Sequence, residues 1–295
     1  FPPQRTPRAL SVGLFHSCAI LDNGDLSCWG RNGRGELGLG DTIARGDVAG
    51  QMGRNLPKVD LGAGRTAVSL SASTSRTCAI LDNGTLKCWG DNVYGQLGLG
   101  DTTDRYAPPP MPIDLGQGRT AVAVSAGTQT TCAILDNGSV KCWGWNIRGQ
   151  LGLGYTNDSY SPPATPIDLG QGRTALAVSA GLDHACAILD NGSLKCWGCN
   201  DFGQLGLGDT NNRGDNPGEM GDALPAVDLG AGRTAVAVSA GKAPHTCALL
   251  DDGSVKCWGS NAAGFLGLGD TRDRGGNPGE MGDSLLPVEL GGLVH

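Results

Sequence analysis

The sequence predicts an all-β protein, a β-propeller of four-stranded blades in five repeats. Three observations predict it. The phrase Cys-Ala-Ile-Leu-Asp-Asn-Gly, closed by Cys-Trp-Gly, recurs with little change from Cys18, Cys78, Cys132, Cys186 and Cys247. Successive copies start 60, 54, 54 and 61 residues apart, a period that suits a blade of several strands better than a helical or leucine-rich repeat. Finally, 50 glycines and 16 prolines punctuate short β-prone runs, and no long stretch carries a helical stripe.

Within the third repeat four strands are expected, over 121–125, 131–135, 139–143 and 166–169. The second and third form a hairpin around Asp136-Asn137-Gly138, because Asn-Gly between alternating runs is a strong hairpin signal. A two-residue loop would set Cys132 opposite Trp143. A three-residue loop with glycine in the left-handed position sets Cys132 opposite Cys142 and Ile134 opposite Val140, which keeps all four on one apolar face. Alternation favours the second register. The N-terminal segment 4–13 matches part of the same unit, since Gln4-Arg5-Thr6 parallels Gly232-Arg233-Thr234. That segment completes the last repeat, so 1–295 is expected to be a single propeller domain cut within one loop of its unit, as a ring requires.

The favoured register pairs Cys18 with Cys28, Cys78 with Cys88, Cys132 with Cys142, Cys186 with Cys196 and Cys247 with Cys257. Five matched pairs fit disulfides and an oxidising compartment. Buried free thiols and zinc are the rivals. His16, His184 and His245 each stand two residues before a cysteine, but Arg76 and Thr130 fill the same column in the other repeats, and no metal site is assigned there. Cys199 is the eleventh cysteine and stands where the other copies have Arg31, Asp91, Trp145 and Ser260. Such a variable position is expected to face solvent, as a free or intermolecular thiol. The start at Phe1-Pro2-Pro3 reads as a mature chain after signal-peptide removal, and with the disulfides it points to secretion. No apolar stretch reaches the roughly 20 residues that span a membrane.

Each repeat resembles the regulator of chromosome condensation family, on the run Asn92-Val93-Tyr94-Gly95-Gln96-Leu97-Gly98-Leu99-Gly100 and its counterparts ending at Gly40, Gly154, Gly208 and Gly269. The resemblance covers essentially the whole chain. It implies a β-propeller of four-stranded blades, most similar to cysteine-containing bacterial surface variants. The family propeller usually has seven blades and five are counted here. The expectation is either a tight five-bladed ring or an open array completed by neighbouring subunits.

Function does not follow from that fold. A net charge of −7, with 22 basic residues occurring singly, argues against nucleic acid. Trp29, Trp89, Trp143, Trp197 and Trp258 occupy one repeated column, which reads as packing between blades. Three of the four histidines share another column and His295 is terminal, so no nucleophile stands beside a unique base and no enzyme is expected. The Asp-Thr-x-x-Arg runs read as turn-bracing ion pairs.

The repeats differ in their excursions. Those around Gln51 and Met52, around Glu219, Met220 and Asp222, and around Glu280, Met281 and Asp283 are long, whereas the second and third repeats have proline-rich connections. These segments are the expected interaction loops, and their carboxylates are candidate oxygen ligands for calcium, the one cofactor considered. Two functions are expected: an extracellular or cell-surface module that binds a protein or glycan, or a structural subunit that assembles with copies of itself into a filament or surface layer.

Overall fold

Residues 5–291 are described in a computed structural model of the chain. Phe1, Pro2, Pro3, Gln4 and His295, on which the expectations about the mature start, the repeat completion and the terminal histidine partly rest, lie outside the described residues. The strands are β1 (Pro7–Val12), β2 (His16–Leu21) and β3 (Leu26–Gly30) in the first repeat, and β4 (Ala67–Ala72), β5 (Arg76–Leu81) and β6 (Leu86–Gly90) in the second. The third has β7 (Ala121–Ala126), β8 (Thr130–Leu135) and β9 (Val140–Gly144). The fourth has β10 (Ala175–Ala180), β11 (His184–Leu189) and β12 (Leu194–Gly198), and the fifth β13 (Ala235–Ala240), β14 (His245–Leu250) and β15 (Val255–Gly259). Each repeat is one antiparallel sheet of three strands in chain order.

The hairpins take the three-residue turn. Gly24, Gly84, Gly192 and Gly253 hold φ between 77° and 83°, the left-handed region where a side chain is strained. Pairing then sets Cys18 opposite Cys28 and Ile20 opposite Leu26, and the same register recurs at Cys78, Cys186 and Cys247. One glycine conformation thus decides which residues share a face.

The fourth strand expected over 166–169 does not form as a strand. Its place beside the third strand is taken at two separate points. Arg45 exchanges both backbone bonds with Gly30, and Val59 N–H donates to the Leu26 carbonyl at 2.8 Å. The other repeats do the same with Arg105 and Ile113, Ser159 and Ile167, Arg213 and Val227, and Arg274 and Val288. The variable excursion emerges between the two points, so the ladder is broken where an insertion must leave the sheet. The two long excursions of the last repeats, and that of the first, end in a short 3-10 turn, Gly221–Ala223, Gly282–Ser284 and Gly53–Asn55.

The chain contacts divide into two compact units. One reaches to Asp136 and adds Trp143–Trp145 and Asp158–Ala164; the other comprises Asn137–Cys142, Asn146–Asn157 and the chain from Thr165 onward. In the first unit, Cys18, Ile20, Leu26, Cys28 and Leu37 of repeat 1 pack against Ala67, Ala79, Leu81 and Trp89 of repeat 2. In the second, Cys186, Ile188, Leu194, Cys196 and Leu205 pack against Ala235, Ala248, Leu250 and Trp258. Every sheet therefore has a trailing face carrying the cysteines and a leading face carrying the tryptophan. Both bury apolar side chains, at roughly 25 cal/mol per Å² removed from water. Alternation along the strands supplies both faces, which is why β5 and β11 are buried at every position.

Candidate interaction surfaces

The repeated columns make the junctions between repeats. The Glu36 carbonyl accepts from Thr77 Oγ1 at 2.8 Å and from the Trp89 indole N–H at 3.1 Å, both on the next repeat. The Gln96 carbonyl receives Thr131 and Trp143 in the same way, and the Gln204 carbonyl receives Thr246 and Trp258. Trp197 donates to Gln150. Glycine comes before each indole for steric reasons: a Cβ on Gly38 would stand 2.5 Å from Trp89 Nε1, and one on Gly206 2.7 Å from Trp258 Nε1. The tryptophan column is thus accounted for by packing and one satisfied N–H per ring.

In the column of His16, Arg76, Thr130, His184 and His245, three members, His16, Arg76 and His184, serve the same junctions. His16 Nε2 lies 2.8 Å from Thr77 Oγ1, and His184 Nε2 2.8 Å from Thr246 Oγ1. Arg76 replaces the imidazole by reaching the carbonyls of Gly127, Thr128 and Thr130. Burial pushes the Arg76 guanidinium down to about 9 and His184 down to about 3, the latter helped by the nearby His245. A buried neutral imidazole bonded to a threonine is a structural linker. Among the described residues no three His, Cys, Asp or Glu side chains gather as a metal site would need.

Disulfides join Cys18 to Cys28, Cys78 to Cys88, Cys186 to Cys196 and Cys247 to Cys257, and Cys132 and Cys142 are disulfide-bonded as well. Each closes a turn with a sequence separation of 10, a loop worth roughly 3 kcal/mol or less of chain entropy. Cys199 is free but does not face solvent as its variable column suggests: it is 5% exposed. Its N–H is held by the Asp183 carbonyl just after β12, where the chain still lies in the sheet, and burial pushes its thiol pKa up. The column is not uniform: Arg31 is exposed, Asp91 and Trp145 are half-buried, and the small Cys199 and Ser260 are buried.

The expected interaction residues divide by direction. Met281 is in the core beside Trp258 and Gly206, and Met220 packs near Trp197 and Gly152, so these two methionines anchor their excursions inward. Met52 stays exposed, near Gly46, whose N–H is held by Gln51 Oε1 at 2.6 Å. Glu219 accepts from the amides of Gly214 and Asn216 and from Asn216 Nδ2; Glu280 does likewise with Gly276 and Asn277. Asp222 accepts from Gln171 N–H and Asp283 from Ala231 N–H. The carboxylates considered for calcium are therefore engaged in shaping the loops, and the two of each excursion serve different partners. Lys195 and Lys256 tie the excursions down through the carbonyls of Gly221 and Gly282. Sequence reading passed over these lysines, although they recur between the buried cysteine and leucine columns. The exposed tips of the excursions are Asn216, Pro217 and Gly218, and Asn277, Pro278 and Gly279.

The turn-bracing pairs are present, with Arg45 on Asp41, Arg105 on Asp101 and Arg213 on Asp209 at 2.6 Å, and Arg274 on Asp270 at 2.7 Å. No helix among the described residues is long and apolar enough to cross a membrane.

Five sheets, stapled hairpins and inter-repeat tryptophans define a repeat protein with an all-β, propeller-like fold. The family description Regulator of chromosome condensation (RCC1) repeat matches residues 8–36, 67–96, 121–150, 176–204 and 235–264, and a second description of the same repeat matches 83–134, 137–188 and 191–249. The chain belongs to the RCC1-repeat family. It is 32% identical over 268 residues to the Ultraviolet-B receptor UVR8 of Arabidopsis thaliana, covering 90% of this chain and 56% of that protein. It is 30% identical over 203 residues to the E3 ubiquitin-protein ligase HERC2 of Homo sapiens, covering 69% of this chain and 4% of the ligase. The chain thus spans little more than half of the plant relative. Among solved structures, human WBSCR16 superposes with a TM-score of 0.74 at 19% identity, over 98% of this chain and 68% of that one. Yeast RCC1 (Prp20), solved bound to Kap60, gives 0.67 at 22% identity, over 85% and 55%. At these identities the structural likeness establishes the fold alone.

Proposed function

We propose that this chain is a non-enzymatic extracellular or cell-surface module whose excursions bind a protein or glycan. The observation that carries it is the division of labour within each repeat. Hairpin, cystine, tryptophan and histidine columns are absorbed by folding, whereas the excursion leaves the sheet at one fixed point and varies in length and sequence. Its base is fastened by Lys195 or Lys256 and by a buried or half-buried methionine, and its tip is presented to solvent. A rigid base with an exposed, variable tip suits recognition. The disulfides support the location, because matched pairs persist in oxidising compartments. The relatives support interaction: one is named a receptor, and one was solved with a partner protein.

The test exchanges residues 214–226 and 275–287 for the short 106–112 connection and measures binding of the labelled chain to a glycan array and a cell-surface protein library. Selective binding that is lost in the exchanged protein, with a cooperative thermal unfolding transition retained, is the expected result. Binding that survives the exchange would refute the assignment to these excursions.

A further inference from the structure

A polar cradle recurs where one repeat leads into the next, and at two places the chain fills it with its own excursion. Between repeats 3 and 4 the Gly221 N–H donates to the Asp168 carbonyl at 3.0 Å, the Gly221 carbonyl accepts from Lys195 Nζ at 2.7 Å, and Asp222 Oδ1 accepts from the Gln171 N–H at 3.1 Å. Between repeats 4 and 5, Gly282 and Asp283 bond in the same way to the Asp228 carbonyl, Lys256 Nζ and the Ala231 N–H. The cradle thus reads a Gly-Asp turn at three points. Glycine is needed in that turn, because Gly221 and Gly282 hold φ at 68° and 63° and a Cβ on either would strike the carboxylate of Asp168 or Asp228.

Between repeats 1 and 2 the same cradle stands without the turn. Asp60-Leu61-Gly62-Ala63 repeats Asp228-Leu229-Gly230-Ala231, and Lys87 occupies the column of Lys195 and Lys256. Lys87 is buried like its counterparts, and its Nζ donates to the Leu61 carbonyl at 3.1 Å as Lys195 Nζ does to Leu169. The connection that follows it is the short 106–112, which does not reach the cradle. A Cβ on Gly62 would meet Lys87 Nζ at 3.7 Å and the Arg65 stem, whereas one on Gly170 would stand 2.6 Å from Asp222 Oδ1. Gly62 is accordingly exposed, while Gly170 and Gly230 are half-buried. Among the described residues the Ala63 N–H and the Asp60 carbonyl make no hydrogen bond, and Lys87 Nζ has one acceptor where Lys195 and Lys256 have two. Burial lowers the Lys87 pKa against Asp60 alone; at Lys195 the burial is opposed by Asp222 as well as Asp168.

We propose that the Asp60 carbonyl, the Ala63 N–H and Lys87 Nζ form a docking site for a Gly-Asp turn of a partner protein. The partner's glycine donates its N–H to Asp60 and accepts from Lys87 through its carbonyl. The aspartate that follows accepts from Ala63 and supplies the second carboxylate that Lys195 has and Lys87 lacks. The chemistry of the occupant is given by the two cradles that the chain fills itself, and by charge: a buried ammonium beside one carboxylate takes a second acidic group with a charge-assisted bond. This goes beyond the reading of the excursions as binding loops, because it uses a cradle that an excursion leaves open and none of the tips.

The probe is a fluorescent peptide with the sequence of residues 218–226, Gly-Glu-Met-Gly-Asp-Ala-Leu-Pro-Ala, titrated with the full chain without reductant and read by anisotropy. Binding is expected, and Asp222→Asn or Gly221→Ala in the peptide should weaken it about tenfold or more. Lys87→Met in the protein keeps the stem, drops the charge and should weaken it by a similar factor. Should Lys87→Met not fold, Ala63→Pro removes the N–H at the second position of a turn closed by the Arg65 N–H on the Gly62 carbonyl, a position that accommodates proline. The excursion-exchanged protein should bind two further equivalents of peptide, because loss of Gly221-Asp222 and Gly282-Asp283 opens the cradles at Lys195 and Lys256. The same exchange is expected to abolish binding through the tips, so the two readings fail separately. No binding of the peptide by the full chain up to ~1 mM overturns the proposal, as does binding indifferent to the peptide's glycine and aspartate or undiminished in the protein variants.

Discussion

His184→Thr should change the pH dependence of stability more than it changes stability at neutral pH. The replacement is one the chain itself uses, at Thr130. In the native protein His184 lies against Thr246, the backbone of Gly181 and Gly198, and the titratable His245, and burial drives its pKa from 6.5 to about 3. The unfolded chain takes up a proton below about pH 6.5, and the native chain cannot do so until about pH 3. Stability from the neutral buried imidazole is therefore complete above the unfolded pKa and declines as pH falls through that window. At about pH 5 the loss amounts to about 2 kcal/mol. At about pH 7.5 the variant should be less stable by about 1–2 kcal/mol, from the lost bond to Thr246 and lost packing. At about pH 5 this deficit should shrink to near zero or reverse, because the variant carries no group at 184 to protonate. His245, also lowered by burial, is present in both proteins and cancels to first order in the difference. Urea unfolding of both proteins at the two pH values, without reductant, reads the difference directly. A deficit that stays constant between them would show that His184 titrates normally and would refute the buried-linker assignment.

Two further outcomes follow from the same junctions. Gly206→Ala places a Cβ 2.7 Å from Trp258 Nε1 on a backbone at φ 69° and should lower stability by about 3 kcal/mol. The matching Gly267→Ala, at φ 68° but with Val288 rather than an indole as its nearest neighbour, should lower it by about 1 kcal/mol, and equal losses in urea melts would contradict the steric role assigned to Gly206. Thiol alkylation without reductant should label no cysteine in the native protein and only Cys199 after denaturation, read by intact mass. Several labels would break the disulfide assignment.

Much of the fold was legible because strand alternation and hairpin turns are local. Asp-Asn-Gly fixes a left-handed glycine, and that glycine fixes Cys18 opposite Cys28 within a few residues. The fourth strand was misread because Pro166-Ile167-Asp168-Leu169 alternates like a strand, although the excursion before it limits its pairing to one bond from Ile167. Cys199 was misplaced because the diversity of its column was taken for exposure, whereas the column holds exposed Arg31 and buried Cys199 on the same backbone bond. At the excursions, sequence marked where the repeats differ but not which atoms face outward. Met281 lies against Trp258 only because the chain returns across the leading face.

The sequence by itself determined the repeat, its register, the cysteine partners and the family, all of which depend on spacings within one hairpin or on copies of one phrase. Only the tertiary structure decided which of two apolar faces meets which neighbour. His184 is bonded to Thr246, 62 residues away, and Trp258 to a carbonyl 54 residues before it. A period of two residues tells which side chains share a face, but the partner of that face is a separate repeat, brought there only by the tertiary fold.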